Sequence, residues 1–150
     1  MSLDNLLRIG QIKEHPRDRD EIQNLLSAAQ RNLADAGVAG ISAETRFDVT
    51  YKAIMKCALA AMMAAGYRPD TNRPGHHMTV IQSLPLTLGL SGPRITVLDA
   101  LRRKRNLSDY TGAEIDDVSA DACEREAQTL LADVRRWLAK EHPELSNPRV

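Results

Sequence analysis

Aromatic side chains are nearly absent from this sequence: one Phe, one Trp and three Tyr in 150 residues. With 43% hydrophobic residues the chain can still bury a core, but Leu, Ala, Ile, Val and Met must fill it. Alanine-rich, aromatic-poor interiors favour close helix–helix contact and suit sheets poorly, because strands prefer β-branched and aromatic residues. Net charge is missing too, with 20 basic residues against 20 acidic ones. Non-specific nucleic-acid affinity comes mostly from phosphate neutralisation by a basic excess, so any such role must rest on a local patch. Neutrality also leaves little repulsion against self-association. Cysteine is scarce: Cys57 and Cys123 lie far apart, in no C-x-x-C or zinc-ligand spacing. They read as reduced, buried small hydrophobes of a cytoplasmic protein. No run approaches the ~20 apolar residues that span a membrane. The stretch Met1-Ser2-Leu3-Asp4-Asn5 lacks the charged-then-apolar layout of a signal peptide. The expectation is one cytoplasmic domain over residues 1–150, with no membrane role.

What is present is helical periodicity. A short first helix is expected over about Ser2 to Ile12, carrying Leu3, Leu6, Leu7 and, at its margin, Ile9, with Pro16 closing the segment. A second runs from about Arg17 to Ala36 on a stripe of Ile22, Leu25, Leu26, Ala29 and Leu33, and Gly37 ends it. A third, from about Ala43 to Ala65, has Ser42 as N-cap and Glu44 in its first turn. Its apolar positions Phe47, Tyr51, Ile54, Ala58, Ala61 or Met62, and Ala65 recur at steps of three and four. Its many alanines make it thin, which predicts a central helix touched on several sides. A polar loop, Arg68 to Gly75, follows Gly66. The fourth helix is expected over about His76 to Leu88, kinked or shortened by Pro85. The fifth runs from Pro93 to Leu107 or Tyr110. The sixth has Ser119 as N-cap and extends to Glu141 on a stripe of Cys123, Ala127, Leu130, Leu131, Val134 and Leu138. Beyond Pro143 the tail to Val150 is expected to be loose. Between the helices no convincing period-2 run is seen. The fold class predicted is all-α: an antiparallel up-and-down bundle of four principal helices plus one or two short ones.

Strong chemical motifs are lacking. There is no P-loop, no Rossmann glycine pattern, no H-E-x-x-H and no G-x-S-x-G. His76 and His77 are adjacent, so on a helix they point about 100° apart. No carboxylate three or four positions away completes a metal site, and neither a metal nor another cofactor is expected. The fifth helix is unusual. On a wheel of about 100° per residue with Leu98 at zero, Leu101 and Ile95 fall to either side of it. Arg105, Asp109 and Arg102 fall between these two apolar residues, on the face that should be buried. Arg103 falls on the opposite side, facing solvent, and Lys104 lies off the stripe. A charge on a core face is costly unless paired or solvated. Arg105 and Asp109 are spaced to pair along the helix, and Arg102 reaches Asp109 only across two turns. The arrangement fits either an intrahelical ion pair at the mouth of the bundle or a polar cleft presenting guanidinium groups to phosphate or another anion.

The stretch Leu101-Arg102-Arg103-Lys104-Arg105-Asn106-Leu107-Ser108-Asp109-Tyr110 resembles the signature helix of HEPN domains, the higher-eukaryote-and-prokaryote nucleotide-binding superfamily. Ser42 to Tyr51 is similar to the family's earlier central helix. Gly66-Tyr67-Arg68 and Gly75-His76-His77 are similar to its following loop and next helix. Asp116-Asp117-Val118-Ser119 fits its acidic loop before a long last helix. The resemblance covers roughly residues 17–141. It implies a helical bundle that dimerises, with a cleft where two signature helices meet. Active members are metal-independent RNases with an arginine followed after four to six residues by histidine, and a polar residue often directly after the arginine. This sequence departs at the histidine. With Arg105 as the motif arginine, Asn106 is the polar neighbour and Tyr110 stands in the histidine position. With Arg103, Ser108 stands there, and Asp109-Tyr110 follows. The wheel favours Arg105. Histidine exchanges protons near neutral pH, whereas tyrosine, with its pKa near 10, is suited to hydrogen bonding or stacking.

The resulting expectation is a HEPN-like homodimer that binds RNA, nucleotide or another phosphorylated ligand through Arg102, Arg105, Asn106, Asp109 and Tyr110, without efficient cleavage. One alternative is a metal-independent endoribonuclease of the toxin type. Its catalytic candidates are Arg105 and Tyr110, with His76 or His77 of a neighbouring helix as further proton donors or acceptors. A nucleotidyltransferase-type protein is its expected antitoxin partner. The other alternative is a structural or partner-binding dimer in which the arginines only make ion pairs.

Overall fold

A computed structural model describes residues 1–146. Its centre is α3 (Ala43–Ala64), whose N-cap Ser42 accepts a hydrogen bond from the Thr45 backbone N–H. Ala53, Ala58, Ala60, Ala61 and Ala64 of this helix are fully buried, as are Phe47, Ile54, Cys57 and Met62. Apolar residues therefore surround the helix on most sides. Small side chains let neighbouring backbones approach closely, and α2 (Arg19–Ala36) and α7 (Asp117–Glu141) make the most extensive contacts with it. The short connection over residues 37–42 makes α2 and α3 an antiparallel hairpin. Ile22, Leu26 and Ala29 face the core from α2, and Cys123, Ala127, Leu130, Leu131, Val134 and Leu138 face it from α7. Cys57 and Cys123 are free and buried, and burial pushes both thiols up to about 12. At the N-terminal end of α3, Arg46 ties the helix to α7 through Asp121 at 2.5 Å and Glu124 at 3.3 Å.

The fold is the all-α helical bundle expected, with local differences that have physical causes. The first helix, α1 (Leu3–Arg8), stops short of Ile12, and Ile9 is 58% exposed. Ile12 belongs instead to a short strand, β1 (Ile12–Glu14). It pairs antiparallel with β2 (Tyr67–Pro69), which includes the first residues of the expected polar loop. Ile12 faces Pro69, Lys13 faces Arg68 and Glu14 faces Tyr67. Strands this short are too brief for a period-2 pattern to register. The expected fourth helix is divided into α4 (His76–Gln82) and α5 (Leu84–Thr87), with Pro85 in the first turn of the second piece, as proline's missing donor requires. The next helix, α6 (Gly92–Thr111), keeps close to its expected span at both ends.

The last helix starts earlier than Ser119. Asp116 is the N-cap, its carboxylate accepting from the Ser119 backbone N–H at 2.9 Å. An ionised cap also favours the positive end of the helix dipole, and these hydrogen bonds hold the Asp116 carboxyl below the ordinary range. Residues 143–145 form a 3-10 turn, not a loose tail, because Leu145 is buried and its carbonyl accepts from Gln23 Nε2. The rest of the tail, residues 147–150, lies outside the described residues. Among the described residues no helix is long and apolar enough to cross a membrane.

The thin centre leads to a stability prediction. Ala58→Leu should destabilise the fold by about 1–3 kcal/mol in urea unfolding, since an overpacked core must displace backbone or rotamers. Val118→Ala, at a position 74% exposed, should shift the midpoint little.

Candidate functional site

The α6 helix runs out of apolar residues partway along. Leu98 and Leu101 are buried, and beyond them the same face continues as Arg102, Arg105 and Asp109. Its principal neighbour is α4, with smaller contacts to α3, α5 and α7. Between α4 and this polar half of α6 lies an open cavity of ≈ 440 Å³. All the binding residues expected from the sequence line it: Arg102, Arg105, Asn106, Asp109 and Tyr110. The opposite wall is the start of α4, with His76, His77 and Met78 following the N-cap Gly75. Gly75 has φ of 78°, a left-handed conformation that glycine adopts without a Cβ penalty, and it sets α4 at this angle.

The two arginines are held differently. Arg102 donates from Nε to Asp99 at 2.9 Å, and its side chain is only 15% exposed. Arg103 shares the same carboxylate at 3.0 Å from the solvent side. The two-turn pairing of Arg102 with Asp109 is therefore not used; Asp99, one turn back, is closer. Arg105 lies with its guanidinium carbon 5.0 Å from the centre of the Tyr51 ring, within cation–π range. Its expected partner Asp109 stands at 3.8 Å from Nε, an ion pair too long for a hydrogen bond. The Arg105 Nε is buried and makes no hydrogen bond. A buried charged donor without an acceptor is rare and costly.

Below Arg105, Tyr51 of α3 is 1% exposed and its hydroxyl sits 3.4 Å from Nδ1 of His77. Burial pushes the Tyr51 phenol up to about 12, against the opposing influence of Arg105 and Arg102. His77 is held below the ordinary imidazole value, by burial first and then by His76, Arg105 and Arg102. At neutral pH the phenol is thus protonated and the imidazole neutral, and which of the two donates across the Tyr51 hydroxyl–Nδ1 contact is set by the His77 tautomer. The rings of His76 and His77 meet edge-on at 4.8 Å.

The sequence places Tyr51 only on the core stripe and leaves His77 as one of two neighbouring candidates. A lone tyrosine on the core face of an alanine-rich helix is the available signal, because a buried phenol needs a hydrogen-bond partner. Tyr110 is 89% exposed at the rim and does not reach His77's side of the cavity by any hydrogen bond among the described residues. Ser108, the alternative motif position, turns away to donate to the Ala113 carbonyl at 2.8 Å. A cavity of ≈ 490 Å³ also opens beside Arg17, but Arg17 already donates to the Ala64 and Ala65 carbonyls and His15 is bonded to Glu21. No family model matches the chain, and no curated protein matches its sequence.

Removing Arg105 should raise the His77 pKa towards its ordinary value, since one of the charges that depresses it is gone. Imidazole NMR titration of wild type and Arg105→Gln checks this; an unchanged His77 midpoint would mean the two groups do not interact. His77 also makes stability fall with acid. Its folded pKa lies below 6.5, so its contribution is complete above that value and is lost as pH drops through the folded midpoint.

Proposed function

We propose that the cavity between α4 and α6 binds the phosphate of an RNA, a nucleotide or a related ligand, and that the chain is a HEPN-like binding module. The observation that carries this reading is Arg105. Its guanidinium lines the cavity, stacked on Tyr51 and lacking an acceptor for its buried Nε. Planar forks of this kind match phosphate and carboxylate oxygens. Arg102 adds a second cation, and Asn106 a neutral donor, on the same wall. Phosphate is favoured over a cationic ligand because two arginines line the cavity against one carboxylate, Asp109, among the described residues.

A second reading, metal-independent RNA cleavage, has its own support. The motif lacks histidine in its own helix, yet His77 of α4 stands beside Tyr51, whose ring also carries Arg105. A neutral imidazole is able to exchange a proton with a hydroxyl or phosphate oxygen through Nε2. A homodimer with facing α6 helices and a nucleotidyltransferase-type partner belong to the same proposal. Exposed Leu107 and Tyr110 near the end of α6 are surface that such a contact would cover.

Binding of a short RNA and of inorganic phosphate at low salt tests the first reading. Arg105→Ala should weaken both by about tenfold or more, while Tyr110→Phe changes affinity by no more than about twofold. No binding by wild type under these conditions removes the reading. An RNA cleavage assay without metal tests the second: activity should vanish in both His77→Gln and Arg105→Ala, and cleavage surviving both places the chemistry elsewhere.

A further inference from the structure

A cavity of ≈ 330 Å³ opens between the end of α7 and the start of α6, and it shares no lining residue with the α4–α6 cavity. Its α7 wall is Asp133, Arg136, Trp137 and Lys140, spaced at i, i+3, i+4 and i+7 and therefore on one helix face. Arg94, in the first turn of α6, adds a third cation. Asp133 is the one carboxylate lining this cavity among the described residues, and it serves two guanidinium groups. It accepts from Arg94 Nη1 at 2.5 Å and also from Arg136. The pairing leaves cationic capacity over. Arg94 Nη2 is buried and makes no hydrogen bond, and the Arg136 side chain is 71% exposed. Lys140 is exposed and joins no ion pair among the described residues. The rest of the lining is apolar: Leu88 and Leu90 of the α5–α6 connection, and Trp137, the chain's one tryptophan. All three are half-buried and pack against the core.

We infer that this cavity is a docking site for an acidic segment of a partner protein. Such a segment places carboxylates against Arg94, Arg136 and Lys140 and an apolar side chain against Trp137, Leu88 and Leu90. Charge complementarity selects the acidic part. Three cations face one carboxylate across the lining, so an occupant with two carboxylates brings it to neutrality. Guanidinium forks match carboxylate oxygens in particular, and Asp133 already shows that match from within the chain. The apolar part is selected by the wall. An aromatic anchor ringed by arginines is the composition that dominates protein interfaces, and burying an aliphatic residue on Trp137 and the two leucines is favourable. A nucleic-acid backbone would meet the cations but would set polar sugar and phosphate against Leu88 and Leu90. The inference is independent of the phosphate reading above, because the two cavities have no residue in common.

Selection of a random peptide display library on the full chain tests the assignment, with the double variant Arg136→Glu, Lys140→Glu as the comparison target. Both positions are exposed, so the variant should keep the wild-type urea midpoint. Peptides enriched on the wild type should combine Asp or Glu with Leu, Ile, Val or Phe. A synthetic copy of an enriched peptide should change the fluorescence of Trp137 on binding. It should lose about tenfold or more in affinity for the double variant, where like charges face one another. Exchanging its acidic residues for Asn and Gln should cost a similar factor on the wild type. Failure to enrich any peptide overturns the inference, as does enrichment of peptides without acidic residues. Acidic peptides that bind the double variant as tightly as the wild type overturn it by placing the contact elsewhere. A short RNA that displaces the peptide and itself binds the double variant more weakly also overturns it, and reassigns the cavity to nucleic acid.

Discussion

Alanines at positions 53, 58, 60, 61 and 64 let α2 and α7 lie close against α3, and most of the remaining structure is arranged around that contact. From Ala53 to Ala64 no residue of this helix is fully exposed. Each polar group on its buried face needs an internal answer. Thr50 turns its hydroxyl back to the Arg46 carbonyl at 2.8 Å, and Arg46 itself reaches the acidic first turns of α7. Tyr51, too large and too polar to be satisfied by alanines, finds His77. The candidate site thus begins as a packing problem on the central helix.

The second ingredient is a helix that is only half a core helix. Near its middle, α6 supplies Leu98 and Leu101 to the core, and its later turns supply charge on the same face. The desolvation that this would cost is offset in two ways. Arg102 is neutralised by Asp99 within the helix. Arg105 uses the π face of Tyr51, which contributes on the order of 1 kcal/mol when partly desolvated. The contact with the Tyr51 ring leaves the Arg105 guanidinium, which also lines the cavity, without a hydrogen bond from that ring. A surface arginine with the same sequence spacing would be solvated and would offer an incoming anion little advantage.

The electrostatics of the site are coupled through His77. Burial, then His76 and the two guanidinium groups, disfavour the imidazolium. An anion seated between the arginines offsets their field and raises the cost of keeping the ring unprotonated. Ligand binding and proton uptake are then linked by the same charges, with the sign fixed by geometry. On the proposed reading, this linkage is the same whether a phosphate is merely held or is the target of proton transfer.

Much of the fold was legible in the sequence because it depended on repetition. The stripes of α2, α3 and α7 each span several turns, and Ser42, Gly37 and Pro143 mark their ends by local chemistry. The β1–β2 pair was not legible: in strands so short, Ile12 and Pro69 acquire meaning only from one another. Likewise, Asp116 and Ser119 are both good caps, and the backbone geometry chose the earlier. The inward face of α6 could be read from its wheel, and its candidate residues do share one cavity. What those residues face could not be read. Asp99 takes Arg102 within one helix, but Tyr51 beneath Arg105 and His77 beside Tyr51 join segments that are distant in sequence. By itself the sequence determined which helices form and which faces are apolar, since helical periodicity is a local property of the chain. Only the tertiary structure decided that a histidine absent from the expected motif position would nonetheless stand beside the arginines, because that depends on the angle at which α4 leaves Gly75 to meet α6.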